Sequence, residues 1–120
     1  ESIYGGTTPL ARGTLFANVI GSAQDQKFWH ATSWIQLYIE ACKYFPKACT
    51  SAHWPRDFDC YGTLIGGHVV RGRVAERVPH GEDYVLIVPI CQRHNKKDKL
   101  SMKVNPSSIR ALVLHNYHNP

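Results

Sequence analysis

At 120 residues, with a hydrophobic fraction of 43% and a mean hydropathy of −0.30, the chain fits one folded domain and excludes a disordered tail or two independent cores. No apolar run approaches the roughly 20 residues that a membrane helix needs, and Glu1-Ser2-Ile3-Tyr4 lacks the basic-then-apolar pattern of a secretory leader. A formal charge of +5, a pI near 9.2 and seven histidines favour a polyanionic partner, nucleic acid first among them, although the same charge also keeps a small protein soluble.

In chain order, residues 1–13 are rich in Gly, Thr and Pro and read as an extended arm. Leu15 to Ile20 is a short apolar run, compatible with a buried strand or a first helical turn. Ser22 followed by Asp25 resembles a helix cap, and Phe28, Ala31, Ile35, Tyr38 and Cys42 recur at spacings of three and four, predicting an amphipathic helix that Pro46 stops. Residues 47–59 read as a loop held by its cysteines. Thr63 to Val70 and Tyr84 to Val88 are β-branched and predict a hairpin with a long basic loop, the second strand ending at Pro89. Cys91 to Lys99 lacks β-branched residues and predicts a short helix. Two apolar segments, 100–104 and 109–114, close the core as strands. The expected fold is therefore α+β in a single domain over 1–120: an N-terminal amphipathic helix, a ββα unit and C-terminal strands.

Cys42, Cys49, Cys60 and Cys91 are an even count in a short chain, which allows two disulfides in any of three connectivities. The rival is a structural zinc held by Cys49, Cys60, Cys91 and His94, because Cys91-x-x-His94 places two soft ligands on one knuckle. Such sites usually bring a close pair from each side, whereas Cys49 and Cys60 are eleven apart and Cys42 and Cys49 seven apart. The spacing favours disulfides, Cys60 to Cys91 and Cys42 to Cys49, and two bridges suit an extracellular protein.

Gly66-Gly67-His68-Val69, then a strand ending Ile87-Val88-Pro89-Ile90, then Cys91-x-x-His94-Asn95-Lys96-Lys97 resembles the HNH or His-Me finger nucleases and the wider treble-clef group over residues 66–97. The resemblance implies a strand histidine, His68, as general base, and a helix residue, Asn95 or His94, as ligand to a divalent cation (Mg2+ or Zn2+) held against the scissile phosphate. Gly67 stands where many relatives have a metal-binding residue, the family's middle Asn has no clear counterpart, and His94 replaces the second cysteine of a knuckle. Asp57 and Asp59, two apart and facing the same way in an extended stretch, are candidates for the missing ligand, and Asp83 is another. Arg93 or Lys96 is expected to hold phosphate. Arg71 and Arg73 in the hairpin loop, with Lys97 on the helix, flank the site, and Tyr61 is placed to stack on a base.

Three functions follow as expectations. The first is a small secreted nuclease of the toxin or defence type, monomeric, acting on RNA or DNA through a His base and a metal ion. The second is a metal-independent ribonuclease using a His acid–base pair. The third is a non-catalytic binding module on a treble-clef-like or disulfide-stapled scaffold.

Overall fold

The structure is a computed structural model that describes residues 3–20, 33–56, 59–79, 82, 84–96, 101–107, 109–115 and 117. Its elements run β1 (Ile3–Leu10), β2 (Leu15–Asn18), α1 (Trp34–Cys42), β3 (Leu64–Arg71), β4 (Val85–Cys91), α2 (Gln92–Asn95), β5 (Met102–Lys103) and β6 (Ile109–His115). The strands form one sheet in the order β1-β6-β4-β3-β2-β5, and every named pairing is antiparallel. This corrects the α+β expectation with an N-terminal helix: among the described residues the fold is a mostly antiparallel six-stranded sheet carrying two short helices, and two strands precede α1.

The arm assigned to residues 1–13 contains a strand instead. β1 lies at the sheet edge and pairs with β6, and a register shift between Tyr4 and Thr7 marks a bulge where Gly6 adopts φ 95°. An edge is also where a strand tolerates Pro9, whose missing N–H leaves no gap in a ladder when it faces outward. The helix is shorter than its periodicity suggested among the described residues. Its cap is Ser33, whose hydroxyl accepts the amide of Gln36 at 3.1 Å, and it closes at Lys43 in the left-handed conformation. The expected cap at Ser22, together with Phe28 and Ala31, lies outside the described residues.

β4 is buried along its whole length because both of its faces are covered. Val85 and Ile87 join Leu112 and Leu114 of β6 in packing against Leu37 and Tyr38 of α1. Leu86, Val88 and Ile90 face the other way, into a core with Phe16, Val69, Met102 and Val104. Pro89 does not end β4, as expected, but sits inside it opposite Gly66. The pairing of β6 with β4 stops at Ile87, so beyond that point one side of β4 is open, and the loop after α1 fills it. Thr50 donates both its amide and its hydroxyl to the Pro89 carbonyl, at 2.8 and 2.7 Å. A residue's N–H and C=O point to the same side of a strand, so proline there costs no bond to β3. That docking carries Cys49 to the end of β4.

The glycine pair of β3 is explained by packing. A Cβ on Gly66 would lie 2.6 Å from the backbone carbonyl carbon of Trp34, so α1 sits directly on the strand there, and one on Gly67 would meet the Ile90 side chain at 2.4 Å.

Candidate metal centre

Four side chains converge beside the end of β4. Cys91 is its last residue and also caps α2, its Sγ accepting the amide of His94 at 3.4 Å. This is the geometry of a knuckle: one turn of chain returns a second donor, His94, to the side of the first. Cys49 arrives through the Thr50–Pro89 contact, and its Sγ accepts the Cys91 amide at 3.3 Å. Cys60 comes from the segment that enters β3. The donor atoms of Cys49, Cys60, Cys91 and His94 all lie within 4.8 Å of one another, positioned to bind a metal ion.

The distances suit a tetrahedral ion. His94 Nδ1 lies 3.2 Å from Cys49 Sγ, 3.5 Å from Cys60 Sγ and 3.1 Å from Cys91 Sγ. A tetrahedron with metal–sulfur bonds of about 2.3 Å and a metal–nitrogen bond of about 2.0 Å needs about 3.5 Å between nitrogen and sulfur. The other ring nitrogen is 2.7 Å from the Trp54 carbonyl oxygen. A carbonyl can only accept, so Nε2 carries the proton and Nδ1 turns its lone pair toward the three sulfurs, a tautomer fixed from outside the donor set.

The electrostatics agree with that assignment. Burial depresses the His94 pKa, with Arg93 adding to it against the Trp54 hydrogen bond, so the ring is neutral as a ligand must be. Burial raises the Cys49 thiol and pushes Cys60 up to about 11, with the neighbouring Cys91 adding to the latter. Cys91 goes the other way: burial works to raise it, but the amide hydrogen bonds of His94 and Tyr61 and the adjacent thiols outweigh burial, and it falls below its ordinary value. Three thiols crowded together gain most from a cation, which replaces mutual repulsion by coordination.

The disulfide expectation is corrected. Cys42, Cys49, Cys60 and Cys91 are all free. Cys42 ends α1 on the other side of the sheet, outside the donor cluster, and so cannot reach Cys49. With no bridges present, the cross-link argument for an extracellular setting loses its basis.

The remaining predicted site residues are divided among several places. His68 is 5% exposed, with its ring 4.8 Å from that of Trp34 and 6.0 Å from that of Tyr117, both edge-on. Gly67, its neighbour on β3, faces Ile90 and the Asn95 side chain. Strand alternation therefore places His68 on the α1 face of the sheet and Asn95 on the opposite one. Asn95 is exposed on α2, and the Asp59 carboxylate does not join the donor cluster among the described residues. Asp59 instead offers its backbone carbonyl to Arg93 Nη1 at 2.8 Å. Tyr61 and Lys96 are exposed near the cluster. Arg71 and Arg73 are exposed at the far end of β3, seven or more residues along the strand from Leu64, which pairs with Cys91, a separation of about 23 Å at about 3.3 Å per residue. Asp57, Asp83 and Lys97 lie outside the described residues.

Sequence reasoning passed over Thr50 and the Trp54 carbonyl, because a backbone acceptor leaves no signature in residue types. No helix among the described residues is long and apolar enough to cross a membrane. Comparison with known proteins matches no family model, no curated protein and no solved structure, so the reading of this centre rests on its own geometry.

Proposed function

We propose that the chain is a non-catalytic binding domain for nucleic acid, stapled by one Zn2+ held by Cys49, Cys60, Cys91 and His94. The observation that carries this reading is the donor set: three thiols and one imidazole, enough to fill all four tetrahedral positions, lie within 4.8 Å of one another. Structural zinc sites are closed in this way, whereas catalytic ones leave a position for water or substrate. Soft sulfur donors select Zn2+ over Mg2+, which demands oxygen ligands. The order of loop cysteines, hairpin and helix start is also that of the treble-clef group. The partner class follows from the net charge of +5 and from Arg56, Arg93 and Lys96, which lie on the segments that carry the ligands.

Two measurements test this. Elemental analysis of the protein as purified should give one zinc per chain. Labelled RNA and DNA should be bound with strong salt dependence and left intact, with and without chelator, by the native protein and by His68→Ala. Turnover that disappears in His68→Ala would instead establish the nuclease.

A further inference from the structure

The exposed aromatic rings differ in how firmly the fold holds them and in the field around them. Tyr44, Phe45, Tyr61 and Tyr84 are all exposed. Tyr84 stands near the carboxylates of Glu76 and Glu82, a field that repels phosphate. Tyr44 and Phe45 follow the end of α1, and neither adjoins a metal ligand. Tyr61, 53% exposed, follows the ligand Cys60 directly, and its amide donates to the thiol of the ligand Cys91. Its backbone is thus tied to two ligands while its ring points to solvent.

Cations lie on the same ligand-bearing segments as that ring. Arg93 occupies the gap of the Cys91-x-x-His94 knuckle and is anchored on the Asp59 carbonyl, two residues before Tyr61. Lys96 closes α2 and is exposed, as is Arg56 on the ligand loop. Trp54, the other aromatic residue tied to the centre, has Lys103 Nζ over its ring at 3.8 Å, so that face is already covered by a cation.

Building on the nucleic-acid reading above, we propose that this face binds single-stranded nucleic acid, with Tyr61 stacking on an unpaired base and Arg93, Arg56 and Lys96 contacting the adjoining phosphates. A single protruding ring gains little from a duplex, whose bases are already stacked, but every unpaired base offers it a π face. The metal is part of the device, because it fixes both Cys60 and Cys91 and so holds Tyr61 at a set place beside Arg93.

The test is fluorescence anisotropy with a labelled single strand of about 12 nucleotides, as RNA and as DNA, and with the same sequence as a duplex, using the zinc-loaded protein. The native protein should prefer the single strand. Tyr61→Ala should weaken single-strand binding about tenfold while retaining zinc, Tyr61→Phe should restore it, and Tyr84→Ala should leave it unchanged. Arg93→Gln should reduce the slope of log affinity against log salt by about 0.7. Single-strand binding by zinc-loaded Tyr61→Ala equal to the native protein's, or a duplex bound as tightly as the single strand, overturns this inference and leaves the broader reading standing. Absence of binding to any of these nucleic acids at low salt overturns both.

Discussion

Replacing Cys49 by serine tests the metal centre most directly. Cys49 is 4% exposed, its sulfur accepts the Cys91 amide, and it lies 3.2 Å from the His94 nitrogen, so its loss opens the donor set from the buried side. With free metal at a hundred to a thousand times its dissociation constant, binding adds about 2.7 to 4.1 kcal/mol to stability. For a chain of this size each kcal/mol moves the midpoint by about 4 °C, so loss of the ion lowers Tm by roughly 10 to 16 °C. The assay is thermal unfolding with and without chelator, paired with metal content, on the native protein, Cys49→Ser and Cys42→Ala. Chelator should lower the native midpoint to that of Cys49→Ser and leave Cys49→Ser itself unmoved. Cys42→Ala should keep its metal and its chelator response, since Cys42 lies outside the cluster. A native midpoint indifferent to chelator, or equal metal loss in the two variants, would refute the argument.

Other outcomes follow from the same geometry. His94→Cys should still bind one zinc, because a cysteine sulfur at that helix position can replace the nearer ring nitrogen, whereas His94→Ala should not; elemental analysis distinguishes them. Gly66→Ala should cost about 1 to 3 kcal/mol by denaturant unfolding, because its Cβ would meet the Trp34 backbone, which cannot move without shifting α1. Gly67→Ala should cost less, since it meets the flexible end of Ile90. Tyr38 donates to the Arg110 carbonyl at 2.6 Å, and burial, its largest influence, raises its pKa above the ordinary value of 10.0. A group raised in this way contributes stability that is fully present below its unfolded pKa and is lost as pH rises through the folded one. Stability should therefore decline above about pH 10, and Tyr38→Phe should lose about 1 kcal/mol at neutral pH and show a shallower alkaline decline.

The sequence exposed the elements that follow simple periodicity and concealed those that depend on a neighbour. Val85-Leu86-Ile87-Val88 is apolar at every position because both faces are covered, and Cys91-x-x-His94 is a ligand pair that one turn of chain suffices to build. Gly5-Gly6-Thr7-Thr8-Pro9 carries turn chemistry, yet it forms a strand because β6 offers it an edge and a bulge absorbs the glycine. The spacing of Cys49 and Cys60, eleven apart, favours disulfides over zinc. Their meeting depends on a threonine that satisfies a proline carbonyl and on a tryptophan carbonyl that holds an imidazole, and neither bond has a spacing rule. The glycine pair before His68 suggested chemistry because a backbone approached closely by another backbone has the same composition as one approached by a ligand.

What the ion contributes can be separated from what the sheet contributes. The two cores flank β4 and draw side chains from all six named strands and α1, so the bulk of the fold should not depend on zinc. α2 is different: with four residues it is far shorter than a helix that stands alone in water, and the 47–61 loop is tied back through Thr50, Trp54 and Asp59. Two of those three ties end on α2, at His94 and Arg93. Stripping the metal should therefore loosen α2 and the loop before it loosens the sheet. Hydrogen exchange would register this as faster exchange at the amides of Cys91, His94 and Tyr61, with Leu86 and Leu112 still protected. Uniform loss of protection across β4 and β6 would mean instead that the ion holds the whole domain together, and that the two cores are not stable without it.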